Sequence, residues 1–222
     1  TVNAKRLVLT DIGDDSVDKE AAAAHGVLVQ NDPKSNGRSV AELVIGEVII
    51  SARRIAKDWV DTRANHWGKS TVGRFEVKGK RLGIFGLGNI GKQVAQLGSA
   101  MGLNIVFYDN RPVAREVGET MGWTFVGSAR ELFAASDYVS AHISAFDYRG
   151  RSNDGFLTYD DFAAMSEKDH DSPRVFLNLA RGAIHSAEDL IRAVDEGHVS
   201  RAMVDVYPLE PKSKTEPWDN PY

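Results

Sequence analysis

The 222-residue sequence contains no cysteine, which excludes disulfide bonds, thiolate metal sites and cysteine nucleophiles. It also contains no long hydrophobic run, because the most apolar stretch, residues 40–50, carries Glu42 and Glu47. No membrane span is therefore predicted. The first residues lead into too few apolar residues for a signal peptide, and we expect a cytoplasmic protein.

The sequence has no excess of positive charge, since 27 Lys and Arg residues stand against 31 Asp and Glu residues. Proteins that bind nucleic acids usually present a basic face, so no nucleic-acid partner is predicted. There are six histidines, and no pair has metal-ligand spacing on a predicted helix, so no metal site is expected. No G-x-S-x-G motif occurs, and hydrolase chemistry has no support.

Glycine is informative where it clusters in one motif. Gly86, Gly88 and Gly91 fit G-x-G-x-x-G, between an apolar run at 82–85 and a predicted helix at 92–101. In such a motif the first glycine permits a tight turn, and the second lets the backbone approach a pyrophosphate. The third allows the helix to pack closely on the strand, and the helix N-terminus offers free N–H groups to the anion.

An acid completes this motif. Asp109 ends the next apolar run, residues 103–108, and is placed to accept hydrogen bonds from the ribose hydroxyls of an adenosine. A carboxylate repels a 2′-phosphate, so Asp109 favours NAD over NADP, although Arg111 nearby softens that preference. The sequence therefore predicts a dinucleotide site.

Strands and helices alternate from residue 82 onward. Strands are predicted at 82–86, 104–108, 123–126, 137–143, 174–179 and 201–206, and helices at 90–101, 113–121, 129–135, 158–165 and 187–196. This alternation is typical of an α/β fold with a doubly wound parallel sheet. Before it we predict a small unit with strands at 6–10 and 27–30, a turn at 13–15 and a helix at 19–24.

A capping box links the two parts of the chain. Ser39 at the N-cap, with Glu42 three residues on, predicts a helix that runs to about Trp59. Its apolar face is broader than a surface helix needs, so we expect it to lie between two domains or two subunits. Residues 60–80, with Trp67 near their centre, are expected to be irregular.

Polar residues follow several of the predicted strands, and in such sheets ligands bind at the carboxyl ends of the strands. They are Asp109, His142, Asn178, Arg181 and Asp205, with Glu210 just beyond the last strand. Arg181 is placed to grip a carboxylate with two parallel hydrogen bonds and to polarise an adjacent carbonyl. The alternative for Arg181 is an ion pair with a nearby surface acid.

The two acids near the last strand have similar pairs of interpretations. Asp205 is placed to hold a nicotinamide carboxamide, or else to cap a turn. Glu210 lies between Pro208 and Pro211, which fix the backbone and suit a well-placed carboxylate. A turn glutamate taken by itself more often faces solvent.

Two histidines fall near the same crevice. His142, at a strand end, is a better cofactor neighbour than a proton-transfer group. His185 follows Arg181 by one helical turn and is a candidate for contact with a ligand. The remaining histidines are expected at the surface; they are His25, His66, His170 and His198.

Taken in order, these motifs resemble those of the D-isomer-specific 2-hydroxyacid dehydrogenases. The similar segments cover nearly the whole chain, at residues 12–18, 36–47, 67–69, 75–76, 79–91, 136–140, 178–182 and 205–211. The resemblance implies a Rossmann NAD-binding domain and NAD-linked oxidation of a D-2-hydroxy acid. It divides the chain into residues 1–36, a remnant of a substrate-binding domain with its hinge, and residues 37–222, the NAD-binding domain.

The resemblance also implies roles for particular residues. Arg181 would bind the carboxylate and carbonyl of the substrate, and Glu210 would raise the pKa of a catalytic histidine that exchanges the proton. Cofactor contacts are implied at Asn89, Ile90, Asp109, Leu179, Ala180, Arg181 and Asp205. The histidine of the family is expected after residue 222, and the start of the substrate domain before Thr1. We therefore expect residues 1–222 by themselves to bind NAD(H) weakly and to turn over little.

Partner and substrate are implied in the same way. In the family that the chain resembles, a tryptophan at the position of Trp67 enters a neighbouring subunit. The resemblance therefore implies a homodimer or tetramer with Trp67 at the interface. Within the family, the motifs most resemble those of members that oxidise D-3-phosphoglycerate to 3-phosphohydroxypyruvate in serine biosynthesis. Asp14 and Asp15 add negative charge where an anionic substrate would dock, which keeps another 2-hydroxy acid open. A non-enzymatic, NAD-sensing module of the corepressor kind is the alternative function.

Overall fold

A computed structural model describes residues 4–9, 17–32, 35–68, 70–167, 172–208, 210–211 and 215–222. Several predictions fall outside these residues and are not tested by the structure. They are the turn at 13–15, the acidic pair Asp14 and Asp15, the surface position of His170, and the part of the similar segments that includes Lys69 and Leu209.

The described residues form eight strands and eight helices. The strands are β1 (Arg6–Leu9), β2 (Leu28–Asn31), β3 (Arg81–Phe85), β4 (Asn104–Tyr108), β5 (Thr124–Phe125), β6 (Tyr138–Ala141), β7 (Val175–Asn178) and β8 (Arg201–Val204). The helices are α1 (Lys19–Ala24), α2 (Gly37–Arg53), α3 (Ile55–Arg63), α4 (Asn89–Ala100), α5 (Pro112–Thr120), α6 (Ala129–Ala135), α7 (Tyr159–Ala163) and α8 (Ala187–Asp195). Short 3₁₀ turns lie at Ala164–Glu167 and Gly182–Ile184.

Six strands form one parallel sheet in the order β5-β4-β3-β6-β7-β8. The chain builds outward from β3 in one direction and from β6 in the other, so the strand order reverses between these two strands. Phe85 at the end of β3 lies in register with Ala141 at the end of β6. A ligand crevice is expected just beyond these ends. The predicted doubly wound parallel sheet is confirmed.

Helices cover both faces of this sheet. Alternate residues of each strand point to opposite faces, and both sets are apolar, so each face has to be covered. Leu82 and Ile84 of β3 join the apolar cluster formed with α2 and α4. Phe85 joins the cluster on the other face, formed with α6, α7 and α8. On the first face, Val44 and Val48 of α2 are completely buried, which explains the broad apolar face of that helix.

The N-terminal strands form a separate sheet. β1 and β2 pair in parallel, with Leu7 opposite Val29, and α1 connects them. Asp18 caps α1 by accepting a hydrogen bond from the N–H of Ala21 at 2.8 Å. The assignment of residues 1–36 to a second domain remains a prediction.

The predicted start of the helix at Ser39 is wrong. α2 begins at Gly37 with Asn36 at the N-cap, so Ser39 lies inside the first turn. Glu42 does not complete a capping box, because its carboxylate accepts a hydrogen bond from Arg38 Nε at 2.6 Å. An i,i+4 ion pair on the exposed face thus takes the acid that the capping motif requires.

The predicted helix to about Trp59 is also wrong in its continuity. Arg54 adopts a left-handed conformation, with φ of 57°, and separates α2 from α3. The Arg54 guanidinium donates a hydrogen bond to the carbonyl of Val72 at 3.3 Å, and Arg74 pairs with Asp58 across the break at 2.6 Å. These contacts join residues distant in sequence, which is why no local pattern predicted the break.

Candidate functional site

The predicted glycine motif forms the turn between β3 and α4. Gly86 has φ of 98°, and a Cβ at this position would lie 2.8 Å from Ile143 Cγ2. A Cβ at Gly91 would collide with the carbonyl oxygen of Gly86. Gly88 is the N-cap of α4, and the space beside it is open. Gly86 and Gly91 are therefore required by the backbone, whereas Gly88 leaves one face of the turn accessible.

Asp109 lies directly after β4 and faces this turn. Its carboxylate Oδ2 accepts a hydrogen bond from the N–H of Leu87 at 2.8 Å. Arg111 donates to the same carboxylate through Nη2 at 2.7 Å and Nε at 2.9 Å. The hydrogen bond to Asp109 raises the pKa of Arg111. The predicted ribose acid is thus held against the glycine turn, and it is paired with an arginine.

A cavity of about 370 Å³ opens between the turn and the loop that follows β6. Its wall contains four of the predicted site residues, Gly86, Gly88, Asp109 and His142. Aromatic side chains supply much of the remaining wall; they are Phe85, Tyr108, Phe146, Tyr148 and Phe156. A cavity with flat apolar walls and an acid at one side suits a purine and its ribose.

A second cavity, of about 740 Å³, lies at the carboxyl ends of β6 and β7. It brings together predicted residues from four segments, which are Asn89, Ile90, His142, Leu179, Ala180, Arg181 and Glu210. Asp205 follows β8 and is exposed, and Gly91 is buried under the turn; neither belongs to the wall of either cavity. Their predicted contacts with a cofactor remain predictions.

The loop that carries Arg181 is held from below by Asn178. The side-chain amide of Asn178 donates to the carbonyl of Arg181 at 2.9 Å, and its oxygen accepts from the N–H of Ala180 at 3.0 Å. A Cβ at Gly182 would lie 2.6 Å from the nitrogen of Pro208, so glycine permits the segment around Pro208 to approach. Asn178 and Gly182 thereby bring Arg181 and Glu210 to one cavity.

Arg181 and Glu210 contribute opposite charges to this second cavity. Arg181 is half-buried and donates through Nη1 to the carbonyl of Ala180 at 2.8 Å. Glu210 is exposed, and its Oε1 accepts a hydrogen bond from the N–H of Tyr207 at 3.0 Å. The cavity therefore offers a cation for a carboxylate substrate and an acid at its rim.

His142 lies in the wall of both cavities. Both ring nitrogens are buried, and neither has a hydrogen-bond partner among the described residues. Burial without a compensating partner lowers the pKa of His142 to about 3, so the ring is neutral near neutral pH. A ring held neutral by burial is not suited to exchange protons near neutral pH, and the contact of His142 with a cofactor remains a prediction.

Acid is expected to destabilise the fold through His142. The pKa of His142 is about 3 in the folded state and 6.5 in the unfolded chain, so the unfolded chain binds the proton more tightly. This contribution to stability is complete above about pH 6.5 and is lost progressively down to about pH 3. Between about pH 7 and pH 5 we expect the free energy of unfolding to fall by about 2 kcal/mol through this group.

Urea unfolding of the wild type and of His142→Gln at the two pH values measures this contribution as the difference between them, because the lowered pKa of His185 adds a change of the same sign to both proteins. The interval between about pH 7 and pH 8 is the internal control, because the histidine is neutral in both states there. An unchanged pH dependence in His142→Gln would show that the ring is not desolvated.

His185 does not reach the crevice, so that prediction is wrong. The side chain is 2% exposed and packs against Phe162 and Phe176, and its Nδ1 lies 3.0 Å from the carbonyl oxygen of Ser186. Burial lowers the pKa of His185. The 3₁₀ turn after Arg181 replaces the helical turn assumed from the spacing, and it points the ring into the core. His25 and His66 are exposed, and His198 is half-buried against Ser166.

Asn36 is a site residue that the sequence analysis did not single out. It belongs to the wall of the larger cavity, and its amide oxygen is buried with no hydrogen-bond partner among the described residues. An asparagine just before a helix normally caps it, but Asn36 makes no capping bond. Asn36 thus joins the wall of the cavity instead of capping α2, a placement that its position before a helix concealed.

The described residues offer neither a metal site nor a membrane-spanning helix. The described residues contain no group of three or more His, Asp or Glu side chains arranged to hold a metal ion. They also contain no helix with the length and apolar character needed to cross a membrane.

Comparison with known proteins gives consistent matches. The sequence model for "D-isomer specific 2-hydroxyacid dehydrogenase, NAD binding domain" matches residues 45–221. D-3-phosphoglycerate dehydrogenase 2 of Saccharomyces cerevisiae is 36% identical over 211 residues, which cover 92% of this chain and 41% of the relative. D-3-phosphoglycerate dehydrogenase of Escherichia coli K12 is 32% identical over 213 residues, covering 95% and 48%. The chain thus spans less than half the length of these curated relatives.

Solved structures match in the same way. A glyoxylate reductase from Paecilomyes thermophila has a TM-score of 0.74 and 30% identity, covering 95% of this chain and 61% of that chain. The pyruvate reductase of Chlamydomonas reinhardtii has a TM-score of 0.77 and 28% identity, covering 93% and 57%. These proteins share the fold but carry names for different substrates.

Proposed function

Because the chain belongs to the D-isomer specific 2-hydroxyacid dehydrogenases, as an NAD-binding domain of that family, we propose that it serves an enzyme that moves hydride between NAD and a D-2-hydroxy acid. The names of the curated relatives support D-3-phosphoglycerate, oxidised to 3-phosphohydroxypyruvate, as the substrate. One observation carries the proposal: the second cavity joins the start of α4 to Arg181 and Glu210.

The residues of the two cavities fit NAD, which supplies the hydride acceptor when it is bound. Gly88 leaves open the face of the turn where a diphosphate would meet the N-terminus of α4. Asp109 and the aromatic wall of the smaller cavity would hold the adenosine half. Asn36 and His142, whose buried polar side-chain atoms have no hydrogen-bond partner among the described residues, belong to the wall of the larger cavity, where the nicotinamide end and the substrate would meet.

Arg181 is the residue that would bind the substrate. A planar guanidinium donates two parallel hydrogen bonds to a carboxylate and also polarises the neighbouring carbonyl, which favours transfer of hydride to it. Glu210, at the cavity rim, would stabilise the protonated form of a histidine that exchanges the proton.

Hydride transfer from NADH to 2-keto acids tests the proposal in the full-length protein that carries these residues. We expect the highest kcat/KM with 3-phosphohydroxypyruvate, when the loss of nicotinamide absorbance is followed. A higher value with glyoxylate or pyruvate would replace the substrate but keep the reaction. Binding of NADH without transfer to any keto acid would contradict the enzyme and support an NAD-sensing module. Residues 1–222 by themselves should bind NADH with little turnover.

The proposed enzyme is also a homodimer through this domain. Exposed large apolar side chains are concentrated in residues 43–72, where they are Leu43, Ile55, Trp59, Val60, Trp67 and Val72. Trp67 is 93% exposed and Trp59 is 62% exposed. Exposed apolar clusters of this kind mark protein–protein contact surfaces. Leu43 lies on α2, Ile55, Trp59 and Val60 lie on α3, and Trp67 and Val72 follow α3.

Trp67→Lys is expected to convert the dimer to a monomer. A lysine would have to bury a charge in place of an indole, which costs more than a typical interface tryptophan contributes, about 2 kcal/mol or more. Sedimentation equilibrium measures the change in dissociation constant, expected at about 30-fold or more. Trp218→Lys is the matched control, because Trp218 is an exposed tryptophan outside residues 43–72. Equal behaviour of the two variants would place the interface elsewhere.

A further inference from the structure

The accepting positions of the Asp109 carboxylate are occupied from within the chain. Oδ2 accepts from the N–H of Leu87 at 2.8 Å and from Nη2 of Arg111 at 2.7 Å. Oδ1 accepts from the N–H and the Nε of Arg111, both at 2.9 Å. A carboxylate has about four lone-pair positions, two on each oxygen. A ribose hydroxyl would therefore have to displace a bond that Arg111 makes.

Arg111 lies over the cofactor turn. Its Nη2 would be 3.9 Å from a Cβ at Gly88, the glycine whose face of the turn is open. The Arg111 side chain is 38% exposed, whereas that of Asp109 is 5% exposed. Both side chains belong to the wall of the smaller cavity. A ligand in this cavity therefore faces the guanidinium in front of the carboxylate.

The other acid in the cavity wall is neutralised in the same manner. Asp147 pairs with Arg151 Nη2 at 2.7 Å, and its Oδ1 accepts from the backbone N–H groups of Arg149 and Arg151 at 2.8 and 2.9 Å. Asp109, Arg111 and Asp147 are the charged side chains among the residues described for this wall. Each acid thus has an arginine partner, so no described wall residue presents an unpaired negative charge to the smaller cavity.

We propose that Arg111 sets the cofactor preference of this site, so that it accepts NADP(H), with its 2′-phosphate, as well as NAD(H). The inference rests on the proposed function only in placing the adenosine half of the cofactor in the smaller cavity. A carboxylate that is unpaired repels a 2′-phosphate, whereas an arginine near it accommodates one. Nε and one hydrogen of Nη2 are bonded to Asp109, so a phosphate would meet the other edge of the guanidinium, where Nη1 and the second hydrogen of Nη2 form a planar pair of donors. Such a pair matches the geometry of phosphate oxygens.

The same arginine limits the affinity for NAD. Hydroxyls of an unphosphorylated ribose compete with Arg111 for Asp109, because the carboxylate has no further lone pair to offer. A 2′-phosphate has no such competition, since it bonds to the guanidinium itself. Arg111 therefore weakens the binding of NAD(H) and strengthens the binding of NADP(H), so that the two dissociation constants converge.

Fluorescence titration of NADH and NADPH into the protein measures the ratio of their dissociation constants. For the wild type we expect NADPH to bind within about tenfold of NADH. Arg111→Leu should weaken the binding of NADPH by about 10- to 100-fold, the loss typical of hydrogen bonds to a charged group. The binding of NADH should stay the same or become tighter. Arg111→Lys should restore part of the NADPH affinity, because it keeps the charge without the planar fork.

Arg115→Leu is the matched control. Arg115 lies one turn further along α5 and pairs with Glu119 at 2.9 Å, so the ratio should not change. A wild-type preference for NADH above about 100-fold would overturn the inference and leave the NAD site intact. So would a ratio that is the same in Arg111→Leu and in the wild type. If neither nucleotide bound to the wild type, the placement of the cofactor would fail, and the inference with it.

Discussion

Gly91→Ala is expected to destabilise the fold by about 3 kcal/mol or more and to weaken NADH binding by about 100-fold or more. The added methyl group would collide with the carbonyl oxygen of Gly86 and lie 3.1 Å from Ile84 Cγ2. Because the carbonyl oxygen of Gly86 belongs to the backbone, no rotation of a side chain can relieve this collision. α4 must then separate from β3, and its N-terminus leaves the turn where a diphosphate would bind. Urea unfolding and fluorescence titration measure the two losses.

Gly88→Ala and Gly46→Ala separate these two losses. A Cβ at Gly88 would meet only Arg111 Nη2, at 3.9 Å, so the stability should change by less than about 1 kcal/mol while NADH binding still falls. A Cβ at Gly46, within α2, meets nothing within 4 Å and should raise the stability by about 0.5–1 kcal/mol without affecting NADH. A Gly91→Ala protein with wild-type stability would contradict the packing of α4 on β3.

Arg181→Lys is expected to lower kcat/KM for the keto acid by about 10³-fold in the full-length protein. Lysine keeps the charge but loses the planar fork, and with it the second of two charge-assisted hydrogen bonds and the alignment of the first. Hydrogen bonds to charged groups contribute about 1.5–3 kcal/mol each, so losing the second bond and weakening the first amounts to about 4 kcal/mol in the transition state. Steady-state kinetics with varied keto acid measures the change.

The dissociation constant of NADH distinguishes the possible roles of Arg181. It should change by less than about threefold, because the guanidinium is assigned to the substrate. Arg192→Lys is a control of the same chemistry, since Arg192 pairs with Glu196 at 2.9 Å on α8, away from both cavities. If Arg181→Lys weakened NADH as much as it lowered kcat/KM, Arg181 would hold the cofactor and not the substrate.

The glycine turn was predictable because its requirements are local. Strand, turn and helix adjoin in sequence. The atoms that exclude a side chain at Gly86 and Gly91 lie within a few residues or at the end of the neighbouring strand. The acid at Asp109 was predictable from its place at the end of the next strand, although the N–H group that donates to it, that of Leu87, lies 22 residues away. Alternating apolar runs likewise predicted the parallel sheet, because buried strands need apolar residues on both faces.

Contacts between distant segments explain what was missed. The break at Arg54 depends on Val72 and on the pair formed by Asp58 and Arg74, which lies across the break. The inward orientation of His185 depends on a 3₁₀ turn and on the rings of Phe162 and Phe176. No periodicity in the sequence carries this information, because the partners lie outside any local window.

The sequence by itself determined the class of fold, the cofactor turn and the identity of the polar residues at the strand ends, since these follow from short-range sterics and periodic burial. Only the tertiary structure decided which of these residues share a cavity. It placed Asn36 and Arg181 in the wall of one cavity, buried His185 in the core and paired Arg111 with the carboxylate of Asp109. The physical reason is that cavities and ion pairs form where separate segments meet, and that meeting is settled by packing of the whole chain.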